Sequence, residues 1–189
     1  TEVLANLFLA PHLSEFIRLH PGIDLSVVCT FQHLSLNRRE ADVAIRVTGK
    51  PPDTLVGRRL AKVAMGVYGG MGVFRPGHDI ADVEELDWIG WQDEAYNEML
   101  TRTRYPRARI RHRVDDMLAM CAMARNGMGA VMLPCYVGDT DMGLRRIVDA
   151  PITEGAMDLW VLSHPDVRRS ARVRAFTTFI AESILAHRD

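Results

Sequence analysis

An arginine stands near the downstream end of a segment whose other residues favour a buried strand. The segment, residues 42–47, reads D-V-A-I-R-V, and the arginine is Arg46. Ligands of open parallel sheets bind beyond the carboxyl ends of the strands. The planar guanidinium group pairs with a carboxylate through two parallel hydrogen bonds. Arg46 is therefore a candidate contact for an anionic or carboxylate-bearing ligand.

A structural ion pair is the alternative role for Arg46. Asp42 points to the same face of the strand, but four residues of extended chain separate the two backbones by about 13 Å, which disfavours a direct pair. Asp53 or Glu40 could supply a partner from a loop. The two interpretations, ligand contact and structural pair, carry equal weight.

Other residues follow predicted strands at the same kind of position. A shared sheet edge would bring them to one cleft with Arg46, although they are distant in sequence. They are Thr30, Trp91, Asp115, Leu133 and Pro134. An aspartate repels an anion but accepts a hydrogen bond from an amine or a hydroxyl. A cleft with Arg46 on one wall and an aspartate on the other would suit a zwitterion or a polar acid.

The pair Asp115-Asp116 has a structural interpretation as well. Residues 115–127 show the clearest helical pattern in the chain, and an aspartate at the start would cap free backbone N–H groups. The functional alternative is that the second carboxylate faces the ligand. The methionines of this helix are expected in the core or at a subunit contact. Trp88, Trp91 and Trp160 are expected in the core more often than at a ligand.

Composition argues against several classes of function. The 189 residues include 23 basic and 24 acidic side chains, a formal net charge of -1, which argues against nucleic-acid binding by this chain alone. The three cysteines form no C-x-x-C pair and are expected to be core residues in a reducing compartment. No apolar run approaches the ~20 residues of a membrane span. Metal-ligand clusters, nucleophile elbows and phosphate loops are absent, so the sequence predicts a binding module without cofactor, metal or catalytic residue.

Apolar periodicity predicts strands that alternate with helices almost throughout, the pattern of an α/β fold with mostly parallel sheets. Pro11 is expected to begin a second short helix within the N-terminal helical segment. Further helices are predicted at residues 31–39, 94–102, 115–127 and 168–188. Strands are predicted at residues 23–29, 42–47, 54–60, 64–68, 88–91, 109–114, 130–134 and 157–165. A glycine-rich passage, residues 69–87, divides the strands into two groups.

Three motifs, taken together, resemble the effector-binding domain of LysR-type transcriptional regulators. They are D-V-A-I-R at residues 42–46, G-x-G…L-P at residues 127–134, and H-P-D-x-R…R-V-R-A-F at residues 164–176. The similarity covers nearly the whole chain. It implies a type-2 periplasmic-binding-protein-like fold, an α/β architecture of two Rossmann-like lobes joined by two crossover strands. Lobe I would comprise residues 1–67 and 162–189, and lobe II residues 68–161.

The resemblance also implies a site and partners. A small effector would bind between the lobes and favour one arrangement of them. The implied effector-binding residues are Thr1, Glu2, Thr30, Phe31, Arg46, Met65, Trp91, Asp115, Asp116, Leu133 and Pro134. A homodimer or tetramer would form through the helix from Val3 to Leu19 in one subunit and the Met117–Arg125 helix in another. The family's N-terminal winged helix-turn-helix is missing here, so DNA would be bound only through that domain, in the cytoplasm and without membrane contact.

Two departures from the family pattern concern the site. The family's usual first strand is missing ahead of Thr1, so that Thr1 and Glu2 would fall in the first loop of the cleft. Many members have Asn-Ser or Asn-Thr where this chain has Asp115-Asp116. The effector chemistry is therefore expected to differ from theirs.

Two other functions stay open at this point. A periplasmic solute-binding protein has the same fold, and an upstream signal peptide rather than a helix-turn-helix would identify it. Three unpaired cysteines favour the regulator. An enzyme is the third possibility, and the lack of a nucleophile with its base makes it the least favoured.

Overall fold

The computed structural model describes residues 2–30, 41–74 and 80–186, so the helix predicted at residues 31–39 lies outside the described residues. The α-helices are α1 Glu2–Leu4, α2 Ala10–Leu19, α3 Ile80–Glu85, α4 Glu94–Tyr96, α5 Met117–Arg125, α6 Cys135–Gly138 and α7 Ala171–Ala186. The strands are β1 Val43–Thr48, β2 Val56–Lys62, β3 Met65–Gly70, β4 Asp87–Trp91, β5 Arg109–Val114, β6 Ala130–Pro134, β7 Leu144–Arg146 and β8 Asp158–Ser163. The chain divides into two compact units, Thr1–Val63 with Gly155–Asp189 and Ala64–Glu154.

The helical segment that opens the first unit continues past its proline. Ala5–Leu9 form a π-helical turn between α1 and α2. Pro11 lies in the first turn of α2, as predicted, but it does not separate two helices: Leu9 and Ala10 both have right-handed helical dihedrals, and the helical backbone is continuous through the proline. Phe16 of α2 is fully buried, with ring centroids 5.0 Å from Phe176 and 5.5 Å from Phe179 of α7. These rings join α2 to α7.

The sheet of the first unit has the strand order β1-β8-β2, and β8 runs antiparallel to both neighbours. Leu159 and Val161 of β8 are buried on one face, whereas Trp160 between them is half-buried on the other. The expectation of a mostly parallel sheet is wrong for this unit. The reason is that the central strand returns from the C-terminal part of the chain and runs opposite to both partners.

The prediction of a strand at residues 23–29 is also wrong. These residues are described, and they form no regular secondary structure. Val27 and Val28 are 53% and 63% exposed. A β-branched run forms a strand only where a neighbour pairs with it and one face is covered, and neither condition can be read from the run itself.

The second unit is built on a five-stranded sheet with the order β5-β4-β6-β3-β7. β4 runs parallel to β5 and β6, whereas β3 is antiparallel to β6 and β7. Trp88, Val131 and Leu133 are fully buried in the central strands. The strands predicted at residues 88–91, 109–114 and 130–134 are confirmed.

Two glycines allow α5 to lie against this sheet. A Cβ at Gly70 would come within 2.7 Å of the carbonyl oxygens of Ala124 and Arg125, so a larger residue would push the helix away. Gly127 has a φ of +77° just after the C-cap residue Asn126, a conformation that side chains with a Cβ rarely adopt. The helix predicted at residues 115–127 is confirmed, with its regular part limited to α5.

The predicted lobe boundaries, after residues 67 and 161, fall inside β3 and β8, whereas the chain passes between the units after residues 63 and 154. β3 pairs only with strands of the second unit and β8 only with strands of the first. Each strand therefore stays whole within one unit. Within the described ranges, no helix combines the length and the hydropathy needed to span a bilayer.

Candidate functional site

One edge of the sheet in the second unit gathers four of the predicted effector-binding residues. The parallel strands β4, β5 and β6 end there at Trp91, Val114 and Pro134. Trp91 is paired with Val114 in the register, and Asp115 follows directly. β3 begins at the same edge, because Met65 is paired with Pro134. Met65, Trp91, Asp115 and Pro134 thus lie along one sheet edge.

The backbone of Trp91 is held by a buried asparagine. The side chain of Asn97 accepts a hydrogen bond from the Trp91 N–H at 2.7 Å and donates one to the Trp91 carbonyl at 2.9 Å. Asn97 is fully buried, and a Cβ at Gly90 would lie 2.4 Å from its Oδ1. The Trp91 ring lies beside Tyr96, with 5.9 Å between centroids. Sequence reasoning missed Asn97, although an asparagine inside a predicted helix is a signal for such a side-chain-to-backbone bond.

The two adjacent aspartates separate into different roles. Asp116 has extended backbone dihedrals, and its Oδ1 accepts a hydrogen bond from the N–H of Ala119 at 2.7 Å, which caps α5. Asp115 is exposed at the sheet edge. The capping prediction is confirmed for Asp116. Asp115 is the aspartate that keeps an exposed carboxylate at this edge.

The side chains of the other predicted residues at this edge, Met65, Leu133 and Pro134, are buried, so a ligand could reach mainly their backbone atoms. Leu133 is fully buried and Pro134 is buried as well. Met65 is 9% exposed and exchanges two backbone hydrogen bonds with Ile152, of 2.9 and 2.7 Å. In this structure the side chain of Leu133 packs in the core of the unit.

A hydrogen-bonded tyrosine lies further along β3, three residues from this edge, where the register pairs Tyr68 with Val131. The hydroxyl of the fully buried Tyr68 donates to Oδ1 of Asp139 at 2.8 Å, and Arg146 contacts Oδ2 of the same carboxylate at 2.5 Å. Burial and the bond to Asp139 raise the pKa of Tyr68 far above its usual range, so the hydroxyl stays protonated. A Cβ at Gly138 would meet the tyrosine ring at 2.3 Å. The sequence signal that was missed is one aromatic residue in a strand of small ones, M-G-V-Y-G-G.

Arg46 lies on a mixed polar face of the first unit's sheet. The register places Arg46 opposite Trp160 and Trp160 opposite Arg59, so the three side chains share a face. Arg46 is half-buried, and burial lowers the pKa of its guanidinium. Asp42, the partner considered first, has its Oδ2 3.6 Å from Nη2 of Arg172. The sequence argument against an Asp42–Arg46 pair agrees with this geometry.

The indole N–H of Trp160 makes no hydrogen bond within the described residues. This N–H group is buried. A buried donor without an acceptor costs about 1–3 kcal/mol. Sequence reasoning assigned Trp160 to the core. The alternation of β8, D-L-W-V-L-S, is the signal that separates it from the buried Leu159 and Val161.

The remaining predicted residues of the first unit are not brought together by any described contact. Glu2 is exposed in α1, and Thr30 is half-buried at the end of the irregular segment. Thr1 and Phe31 lie outside the described residues. Among the residues that are described, no group of three or more His, Cys, Asp or Glu side chains could hold a metal ion.

Comparison with solved structures shows the same fold in regulatory domains. The effector domain of the transcriptional regulator AmpR of Pseudomonas aeruginosa superposes with a TM-score of 0.80 at 20% identity, covering 97% of this chain and 91% of that one. The regulatory domain of CrgA, a LysR-type transcriptional regulator from Neisseria meningitidis, gives 0.78 at 19% identity over 96% and 94%. The regulatory domain of AphB in Vibrio vulnificus gives 0.69 at 17% identity over 97% and 94%. The predicted type-2 periplasmic-binding-protein-like fold is confirmed.

Sequence comparison identifies the family. No curated protein matches the chain significantly. The model of the LysR substrate binding domain family matches residues 1–184, nearly the whole chain. The chain belongs to the LysR substrate binding domain family, the ligand-binding regulatory domain of LysR-type transcriptional regulators.

Proposed function

We propose that this domain senses a small polar or carboxylate-bearing effector in the cytoplasm and passes the signal to a DNA-binding domain of the same regulator. The effector would bind in the cleft between the two lobes, contacted by Arg46 from the first unit and by Asp115 and Trp91 from the second. The observation that carries the proposal is the shared sheet edge of the second unit. Three parallel strands end there, the position at which α/β sheets bind ligands.

The charges at the candidate residues support an effector with both an acid and a polar donor group. The guanidinium of Arg46 would pair with a carboxylate, and the indole N–H of Trp160, on the same face, offers a second donor to an oxygen. The exposed carboxylate of Asp115 would accept a hydrogen bond from an amine or a hydroxyl. A zwitterion or hydroxy acid is the class that satisfies both.

Effector binding would act by population shift. A ligand that contacts both units favours the arrangement in which both contacts are made, and coupling energies of this kind are typically about 1–3 kcal/mol. The arrangement of subunits would then change with it. Both helices assigned to the subunit contact carry exposed apolar side chains, Leu7, Ile17 and Leu19 in the N-terminal segment and Leu118 in α5, which supports a homodimer or tetramer through these faces.

A thermal-shift screen tests the proposal. The chain is heated with amino acids, hydroxy acids, dicarboxylates and uncharged sugars, and a bound effector raises the melting temperature because it stabilises the folded state alone. We expect a saturable rise with at least one carboxylate-bearing compound. A rise with uncharged sugars and with no acid would contradict the proposed effector class.

A further inference from the structure

Two stretches of this chain are dense in arginine, and they differ in the number of ion pairs that their arginines form. Residues 102–113 contain six arginines, and residues 168–174 contain four, namely Arg168, Arg169, Arg172 and Arg174. The first stretch lies in the second unit and the other lies in the first unit. They differ in how many of their charges are neutralised by nearby carboxylates.

The first stretch is largely neutralised by ion pairs. Nη2 of Arg107 lies 2.6 Å from Glu84, Nη1 of Arg111 lies 2.7 Å from Asp87, and Arg113 lies 3.3 Å from Glu94. Arg102 contacts Glu94 and Glu98, and Arg104 lies 4.0 Å from Glu154. Five of the six arginines therefore have a carboxylate partner, so this stretch presents little net charge.

The second stretch, which we call the 168–174 cluster, is not neutralised. All four arginines are exposed. Arg172 has a partner, Asp42 at 3.6 Å, and both of these side chains are more than half exposed. Within the described residues, Arg168, Arg169 and Arg174 have no ion pair. The nearby Asp166 lies 3.4 Å from His164 instead.

The local backbone adds to this positive charge instead of offsetting it. Arg168 and Arg169 belong to the 3-10 turn Val167–Arg169, and Arg172 and Arg174 lie in the first turns of α7, which has no acidic residue in its first turn. The N-terminal end of a helix is the positive end of its dipole, where cations are unfavourable. Arg172 and Arg174 flank the buried Val173 and so leave the helix on its two sides. An external anion would relieve this repulsion.

We propose that the 168–174 cluster contacts the phosphodiester backbone of duplex DNA. The arginines are spread over an exposed turn and helix start, an arrangement that suits a polyanion better than a small anion. Duplex DNA carries one negative charge per about 1.7 Å of its axis, so several phosphates fall within reach of four arginines that lie within seven residues. The contacts carry no sequence information. They add to DNA recognition by the helix-turn-helix domain.

This inference rests on the proposed function in one respect: the proposed function joins this domain to a DNA-binding domain in one regulator, which would bring the 168–174 cluster near DNA. The whole-chain charge of -1 still predicts weak binding by the chain alone. The affinity is therefore local to the cluster and strongly dependent on salt.

Fluorescence anisotropy with a labelled duplex of arbitrary sequence tests the proposal on the purified chain. Three phosphate contacts predict that the affinity falls about 40-fold between about 50 and about 200 mM salt, with a logarithmic slope of about -2.7. The triple variant Arg168→Gln, Arg169→Gln, Arg174→Gln should lose on the order of tenfold or more in affinity at the lower salt and flatten the slope. The double variant Arg168→Gln, Arg169→Gln, which leaves α7 unchanged, gives the same direction of effect if the triple variant fails to fold.

The matched control removes three charges from the other arginine stretch, as Arg104→Gln, Arg107→Gln, Arg111→Gln. We expect its DNA affinity to stay within about twofold of the unmodified chain, because phosphate contacts rather than net charge set the affinity. No DNA binding at the lower salt, or an equal loss in the control, would overturn the proposal. Tighter binding of labelled poly-glutamate than of DNA at equal charge would overturn it as well, since the partner would then be an acidic polypeptide. None of these results bears on effector binding, which the thermal-shift screen measures separately.

Discussion

The two units hold their candidate effector-binding residues by different means. In the second unit, Met65, Trp91, Asp115 and Pro134 reach one sheet edge because the parallel strands β4, β5 and β6 end there and the antiparallel strand β3 begins there. In the first unit, Arg46 lies on β1, an outer strand of an antiparallel sheet, where it is half-buried opposite Trp160 of the central strand. The positions of the four residues in the second unit are set by the packed core of that unit. The position of Arg46 is set by its cross-strand neighbours alone.

This difference separates two kinds of substitution. Changes beneath the edge of the second unit should reduce the free energy of unfolding, since they alter the packing that sets the strand register. Changes at the polar face of the first unit should leave stability nearly unchanged and act on the ligand. The following substitutions test this difference in order of decreasing effect.

The largest effect is expected from Leu133→Ala. Leu133 is fully buried at the end of β6, and removing such a side chain from a core costs about 2–5 kcal/mol. Urea unfolding followed by tryptophan fluorescence measures the loss. Met142→Ala is the control, because Met142 is 91% exposed and its truncation should change stability by no more than about 0.5 kcal/mol. Equal losses in the two variants would show that the end of β6 is not part of the core.

A smaller loss, of about 1–3 kcal/mol, is expected from Asn97→Ala. The substitution leaves the N–H and the carbonyl of Trp91 without the partners that Asn97 provides at 2.7 and 2.9 Å. The measurement is again urea unfolding. Asn126→Ala is a matched change, since Asn126 also bonds a carbonyl, that of Ala122 at 2.8 Å, but is exposed to water. If Asn126→Ala were the more damaging of the two, the role given to Asn97 would be wrong.

The smallest effect on stability is expected at the aspartate pair. Asp116→Ala removes the cap of α5 and should cost about 1 kcal/mol. Asp115→Ala should change stability by less than about 0.5 kcal/mol, because Asp115 is exposed. Thermal melts of both variants decide the matter. The opposite order would assign the cap to Asp115 and withdraw it from the candidate site.

Sequence patterns predicted the second unit well because its signals are local. Strands at 88–91, 109–114 and 130–134 are short apolar or alternating runs with clear stops, and α5 has an aspartate before it and Asn126-Gly127 after it. The convergence of strand ends then follows from parallel pairing. The buried hydrogen bonds of Asn97 and Tyr68 were missed, since a buried polar contact depends on which elements meet in space and not on periodicity.

The first unit was predicted less well because its structure depends on distant parts of the chain. β8 enters between β1 and β2 from the C-terminal part of the sequence, which makes the sheet antiparallel. The β-branched run at residues 23–29 has no paired neighbour in the described structure and forms no strand. Neither the antiparallel pairing of β8 nor the lack of a strand at residues 23–29 can be predicted from the hydrophobic pattern of the sequence. The motif around Arg46 is one of the three that together indicated the family, but the cross-strand neighbour of Arg46, Trp160, was identified only from the strand register.

Calorimetric titration of one effector into three variants tests the central claim most directly, namely that residues of both units bind the same small molecule. The ligand is the compound that gives the largest melting shift in the screen. Arg46→Gln should weaken its binding about tenfold to a hundredfold, the range expected for the loss of a hydrogen bond to a charged group, and Asp115→Asn should weaken it too. Arg58→Gln, on the opposite face of the same sheet by its register with Val161, should leave the affinity unchanged. Unchanged affinity in both Arg46→Gln and Asp115→Asn would contradict the claim.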